Sequence, residues 1–168
     1  MIIRPEKPDD LNIIRELNIS VFGEKTEADL VDALRKSGIP LISLVTENEI
    51  IVIGHILFSP VTIDNGCSSI SMTGLAPMAV LPAFQRKGVG SMLVKEGLKQ
   101  CKQAGYSAVV VLGHPEYYPQ FGFVPSVTYR IKSEYDVPDD VFMIQELYKG
   151  ALTGCHGTVK YHECFMQL

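Results

Sequence analysis

The stretch Met78-Ala79-Val80-Leu81-Pro82-Ala83-Phe84-Gln85-Arg86-Lys87-Gly88-Val89-Gly90-Ser91 decides how the chain is read. Its first residues end an apolar run, Leu75–Val80, that reads as a strand. Its last residues open an amphipathic helix over Gly88–Gln103. Val89, Leu93 and Gly97 share one stripe, Val94, Leu98 and Cys101 lie beside it, and Lys95, Lys99 and Lys102 face away. Gly97 costs a helix roughly 1 kcal/mol against Ala, so its place on the inner stripe predicts close packing on a sheet. Between strand and helix lies Gln85-Arg86-Lys87-Gly88-Val89-Gly90. The start of a helix leaves amide hydrogens without carbonyl partners, and they carry partial positive charge. Glycines there let a ligand approach the backbone, and Arg86 and Lys87 add cations, so the segment suits a diphosphate. Two nucleotide patterns fail on named residues. A Walker loop needs Gly-Lys before Ser or Thr, where this chain has Lys87-Gly88. A dinucleotide fingerprint needs glycine at position 93, which is Leu93.

Working outward, Ala108–Leu112 is short, apolar and β-branched, as a strand buried on both faces is. Pro77 lies inside the run Ser69–Val80 and cannot donate to a ladder, so that strand is expected to lose a partner or bulge there. Toward the N-terminus, Ile2-Ile3-Arg4 reads as a strand. A helix over Asp10–Val21, capped by Asp9, ends at Phe22-Gly23. A second, over Glu27–Lys36 with Thr26 as cap, ends at Ser37-Gly38. Leu41–Thr46 and Ile50–Phe58 read as strands joined by a turn at Glu47-Asn48-Glu49. Pro60 interrupts, and Asp64-Asn65-Gly66 signals another turn. Phe142–Tyr148 and Thr158–Phe165 read as further strands. One helix crossing between two apolar strands argues a single α/β or α+β domain, residues 1–168, with a mixed sheet.

Composition limits the function. Of 168 residues, 46% are apolar and 20% charged, which excludes a disordered chain. Fifteen basic against nineteen acidic residues give 15 − 19 = −4, without basic runs, which argues against nucleic acid and anionic membranes as partners. The longest apolar run, Ile50–Phe58, is broken by Gly54 and His55 and cannot span a bilayer. The charged, Pro-containing Met1–Asp10 is not a signal peptide, so a cytoplasmic location is expected, with Cys67, Cys101, Cys155 and Cys164 as reduced thiols. Cys155-His156 and His162-x-Cys164 match no zinc spacing, and no metal is expected.

Gln-x-x-Gly-x-Gly between a strand and a helix resembles the pyrophosphate loop of the GNAT superfamily of acyl-CoA-dependent N-acetyltransferases. Met78-Ala79-Val80-Leu81-Pro82 resembles the family's strand-to-loop passage. Tyr118-Pro119-Gln120-Phe121-Gly122-Phe123 resembles its Tyr-x-x-x-Gly-Phe signature. The resemblance implies a mixed, mostly antiparallel central sheet with a splayed, bulged strand and flanking helices. It implies acetyl-CoA as co-substrate and transfer of acetyl to a primary amine of a small molecule or protein by direct attack in a ternary complex. It further implies that Gln85, Arg86, Lys87, Gly88, Val89, Gly90 and Ser91 hold the pyrophosphate. Backbone amides over Met78, Ala79 and Val80 would meet the pantetheine arm and the oxyanion. Tyr118 falls on the family's general acid. A phenol's ordinary pKa near 10 lets it share a proton with a leaving thiolate. Tyr117 is expected to be the packing residue. Some relatives carry a basic carboxylate on the central strand. Ser69–Val80 contains none, which leaves His114, Glu116 or a water relay. Glu24 and Glu27 near the first interhelical loop could attract a cationic amine. A non-catalytic acyl-CoA sensor is the alternative function, and the C-terminal strands offer an edge for a homodimer.

Overall fold

The computed structural model describes residues 1–64, 67 and 70–167. In chain order the elements are β1 (Ile2–Pro5), α1 (Leu11–Phe22), α2 (Thr26–Ser37), β2 (Ile42–Asn48), β3 (Ile51–Ile63) and β4 (Met72–Val80). They continue as α3 (Val89–Gln103), β5 (Ala108–Leu112), β6 (Val124–Pro125), β7 (Ile131–Ser133), β8 (Phe142–Glu146) and β9 (Gly157–Lys160), with short 3-10 turns between. The result is a mixed α/β fold whose strands pair mostly antiparallel, with flanking helices. Among the described residues no helix is long and apolar enough to cross a membrane.

The chain forms two compact units, and β3, β4 and α3 lend residues to both. The first holds residues 1–59, 76–97 and 163–168. Here β1, β2 and the first part of β3 pair antiparallel, with a register shift between Thr46 and Glu47. Ile14, Leu34, Ile53, Ile56 and Leu93 are fully buried. Each such side chain contributes on the order of 2 kcal/mol through lost apolar surface. Arg15 of α1 reaches Asp29 at 2.8 Å and Asp32 at 2.7 Å on α2. Helix α3 lies close on β3. A Cβ at Gly97 would stand 2.3 Å from Phe58 Cε2, and one at Gly54 would stand 3.1 Å from Leu93 Cδ1. Close packing at position 97 is therefore what the sequence predicts and what the fold contains.

The second unit holds residues 60–75 and 98–162. Its sheet runs β4, β5, β8, β6. The β4–β5 pair is parallel, as a crossover through α3 requires, and the β8 pairs are antiparallel. Register between β4 and β5 covers only Met72–Gly74, ending before Pro77, which follows a cis peptide bond. The end of β3 pairs with β9, and β9 with β7. Met72, Val110, Ile131, Phe142, Ile144 and Val159 form this unit's core.

Several boundaries differ from the sequence reading. Asp10, not Asp9, closes the turn before α1. It accepts the Lys7 N–H at 2.6 Å and pairs with Arg4 at 2.7 Å. Thr26 lies inside α2, and the residue before it, Lys25, makes no side-chain cap. The first hairpin turns at Glu49 and Ile50, both with positive φ, two residues beyond the expected start. β3 runs through Pro60 to Ile63. Strand β9 stops at Lys160, short of the expected Phe165, and residues 163–167 form a 3-10 turn. Asn65 and Gly66 of the expected turn, and the expected strand start at Ser69, lie outside the described residues. The four cysteines are not all reduced thiols: Cys67 and Cys155 are joined in a disulfide, and Cys101 and Cys164 are free. Sequence spacing gave no sign of the pair, because β9 brings together residues 88 apart.

Candidate active site

All the residues read for the acyl-CoA fall in the first unit, on the end of β4, the loop after it and the start of α3. Ala79 is buried, while Met78 and Val80 are half-buried on the opposite strand face. The Leu81 N–H bonds Ile53 O at 2.9 Å, which ties the end of β4 to β3. Pro82–Phe84 forms a 3-10 turn. The Gln85 side chain turns back, and its Nε2 donates to Val80 O at 2.9 Å. That contact commits the Gln85 amide nitrogen to holding the loop.

Arg86 and Gly88 both have positive φ, 60° and 86°. Two left-handed residues around Lys87 fold the backbone into a concavity whose N–H groups can converge on an anion. A Cβ at Gly88 would meet nothing within 4 Å, so the glycine serves backbone geometry and leaves open space. Met92 N–H bonds Gly88 O at 3.0 Å. The amides of Val89, Gly90 and Ser91 precede that first helical bond and have no acceptor within the helix. Arg86 and Lys87 are exposed, and Lys87 Nζ stands 5.8 Å above the Phe84 ring. Exposed cations, spare amides and an open glycine fit a diphosphate.

Tyr118, His114 and Glu116 fall in the second unit. Tyr118 is 8% exposed and Tyr117 half-buried; Tyr117 packs edge-on to Phe121 at 5.2 Å, as expected of it, and Tyr118 packs more deeply still. The Tyr118 ring stands edge-on to Phe123 with centroids 5.7 Å apart and edge-on to Tyr117 at 5.0 Å. It also lies against Gly113, where a Cβ would come 2.2 Å from Tyr118 Cε2. Among the described residues none hydrogen-bonds the Tyr118 hydroxyl. Burial, with Tyr117 adding to it, pushes the phenol up to about 12, so it keeps its proton at neutral pH. His114 and Glu116 are exposed. The His114 carbonyl accepts the N–H groups of Tyr117 at 3.1 Å and Tyr118 at 3.4 Å. The second unit also contains a cavity of about 370 Å³ lined by Lys132, Glu134, Tyr135, Asp136, Asp139 and Phe142 among others, none of them singled out by sequence.

In the first unit, Glu24 is exposed, while Glu27 has one carboxylate oxygen shielded from solvent with no hydrogen-bond partner among the described residues. Sequence reasoning also missed a buried polar chain there. His55 is fully buried. Its Nδ1 lies 3.4 Å from Asn18 Nδ2, and its Nε2 lies 2.9 Å from Ser43 Oγ. The Ser43 hydroxyl donates to Glu6, which Arg35 holds at 2.9 and 3.0 Å. Asn18 Nδ2 can only donate and Glu6 can only accept. This direction assigns the proton of a neutral His55 to Nε2. Burial pushes His55 down to about 4, although Glu6 pulls the other way. Burial would raise Glu6, but the hydrogen bonds from Arg35 and Ser43 outweigh it and leave the carboxyl below its usual range. The signal was a single histidine inside the apolar run Ile51–Phe58.

The strand–loop–helix geometry and the buried tyrosine turn meet in one class of protein. The GNAT acetyltransferase family model matches residues 11–123, and the chain belongs to that family. It is 37% identical to the uncharacterised N-acetyltransferase YhbS of Escherichia coli K12 over 166 residues, 98% of each chain. It is also 37% identical to the uncharacterised N-acetyltransferase YjhQ of the same strain over 150 residues, 86% of this chain and 83% of the other. Among solved structures, that of Escherichia coli YhbS in complex with CoA aligns at TM-score 0.92 and 36% identity, covering 98% of this chain and 91% of that one. A GNAT acetyltransferase from Brucella melitensis in complex with acetyl-CoA aligns at TM-score 0.79 and 34% identity, covering 98% and 97%.

Proposed function

We propose that residues 1–168 act as one catalytic domain that transfers an acetyl group from acetyl-CoA to a primary amine. The observation that carries this reading is the loop Arg86–Gly88, left-handed at both ends and open where a side chain would stand, at the start of α3. Acetyl-CoA supplies the activated thioester. The amides of Val89, Gly90 and Ser91, with Arg86 and Lys87, hold its diphosphate, while Gln85 keeps the loop in position through Val80. Backbone N–H groups over Met78–Val80, beyond the last β4–β5 register pair, serve the pantetheine arm and polarise the reacting carbonyl. Tyr118 gives its proton to the leaving thiolate. Its ring is fixed by packing, and no described residue hydrogen-bonds its hydroxyl. The shielded carboxylate oxygen of Glu27 supports a cationic acceptor, whose ammonium it would meet. The acceptor must lose a proton before it attacks, and His114, Glu116 or a water relay takes it. We read the reaction as cytoplasmic.

Gly88→Val puts a β-branched residue at a φ of 86°, which costs roughly 1–2 kcal/mol of strain and closes the open space. Calorimetric titration with acetyl-CoA is expected to show at least tenfold weaker binding with the melting transition preserved. Unchanged affinity would remove the loop from the site. Thiol release with a panel of amines then separates the enzyme from a non-catalytic sensor, which would bind acetyl-CoA without releasing thiol.

A further inference from the structure

We propose that Cys67 and Cys155 form a reversible thiol–disulfide exchange site that reacts with low-molecular-weight disulfides of the glutathione class. The two sulfurs are bonded, and the segments that carry them are also clasped without that bond. Asp64 N–H donates to Thr158 O at 3.1 Å, and Thr158 N–H donates to Asp64 Oδ1 at 2.8 Å. Thr62 and Ile63 pair with Lys160 and Val159. Gly157 has φ 135°, and a Cβ there would stand 2.0 Å from the Asp64 carbonyl oxygen, so only glycine admits this approach. The His156 backbone holds Cys67 Sγ in place from both sides, its N–H at 3.1 Å and its carbonyl oxygen at 3.4 Å, so the sulfur keeps its position when the bond is open. The clasp therefore keeps two reduced sulfurs together and removes most of the entropy cost of closing a loop of 88 residues.

Closure proceeds in two displacements. One cysteine thiolate attacks a sulfur of glutathione disulfide, whose S–S bond breaks and releases one glutathione thiolate. The second cysteine thiolate attacks the protein sulfur of the mixed disulfide and expels the other glutathione. Two cysteine thiols lose two electrons and two protons, and one glutathione disulfide gains them and becomes two glutathione thiols. Both cysteines sit at the edge of the second unit's apolar core, where reduced thiols pack as small apolar groups, so reduction leaves the fold intact. Residues 148–155 belong to no helix or strand: isolated turn bonds and the Leu152 N–H on Glu146 Oε2 at 2.9 Å hold them, and local opening of this stretch admits the reagent. Cys101 is a poor competitor, because burial pushes its thiol up to about 12.

The test equilibrates the full chain in glutathione buffers from fully reduced to fully oxidised, quenches with acid, alkylates under denaturation and maps the peptides by mass. The expected result is one cooperative transition in which Cys67 and Cys155 lose alkylation together as a linked peptide pair and recover it on re-reduction. The oxidised form is expected to melt roughly 5–15 °C higher. In Cys155→Ser the same titration is expected to stop at a glutathione adduct on Cys67. The proposal is overturned if Cys67 and Cys155 stay alkylated at every ratio, if either links to Cys101 or Cys164, or if both forms melt together. The mapping on the unsubstituted chain decides the matter whether or not the serine variant folds.

Discussion

His55 in β3 and Tyr118 in the turn after β5 are both buried titratable groups with opposite bonding. His55 has a neighbour for each ring nitrogen, and its chain runs on through Ser43 to Glu6 and Arg35. Tyr118 is enclosed by rings and by Gly113, yet no described residue hydrogen-bonds its hydroxyl. Burial shifts both groups toward their neutral forms. The difference lies in what remains for a ligand. The histidine has every polar atom occupied and serves the fold, while the tyrosine presents an unengaged proton and can serve a reaction.

The largest effect is expected at Tyr118. Tyr118→Phe keeps the ring contacts and removes the proton, so kcat should fall about 10²–10⁴-fold with acetyl-CoA affinity unchanged. Steady-state thiol release measures the first and calorimetry the second, and full turnover would erase the contrast. Because the phenol is raised to about 12, no loss of activity from its ionisation is expected below about pH 10.

His55 should instead be visible in stability. Its ordinary pKa of 6.5 is lowered to about 4 in the fold. Above pH 6.5 both folded and unfolded chains hold it neutral and its contribution is intact. Between pH 6.5 and 4 only the unfolded chain takes up the proton, so stability falls by about 3 kcal/mol across that window. Denaturant melts at pH 7 and pH 4.5 should show this loss in the wild type and not in His55→Gln. Glu6 and Asp10, both held low by their partners, lose stability only at more acidic pH and do so in both proteins. Equal slopes for the two proteins would remove His55 from the account.

The smallest effect is expected at Gly113→Ala, where the added methyl displaces the Tyr118 ring. We expect a cost of about 1–3 kcal/mol, with kcat falling more than acetyl-CoA affinity. A variant with native turnover would show that the ring position is not what matters.

The same contrast explains what could be read from sequence. The loop from Gln85 to Gly90 was legible because its shape depends on local features: glycines, cations and a helix start within a few residues. The crossover from β4 through α3 to β5 was legible for a similar reason, since periodicity and a both-faces-buried strand are local patterns. Tyr118 was singled out by motif spacing, but its burial relative to Tyr117 was not legible, because Phe123 and Gly113 decide it through packing. His55 showed only as an interruption of an apolar run; Asn18, Ser43 and Glu6 come to it from three other segments. The Cys67–Cys155 bond and the early end of β9 were hidden for the same reason. They depend on pairing between segments far apart in sequence, where the alternation of side chains supplies no register.

Gly97 sets a calibration that no motif records. Phe58 occupies the place of its missing side chain, so the standoff between α3 and β3 is that of two surfaces in direct touch. A methyl at this position would act as a shim, tilting the helix and changing the aim of the amides at its far end without altering any residue that meets a ligand. On the function proposed above, grip on the diphosphate would be tuned from two turns away, by thickness alone.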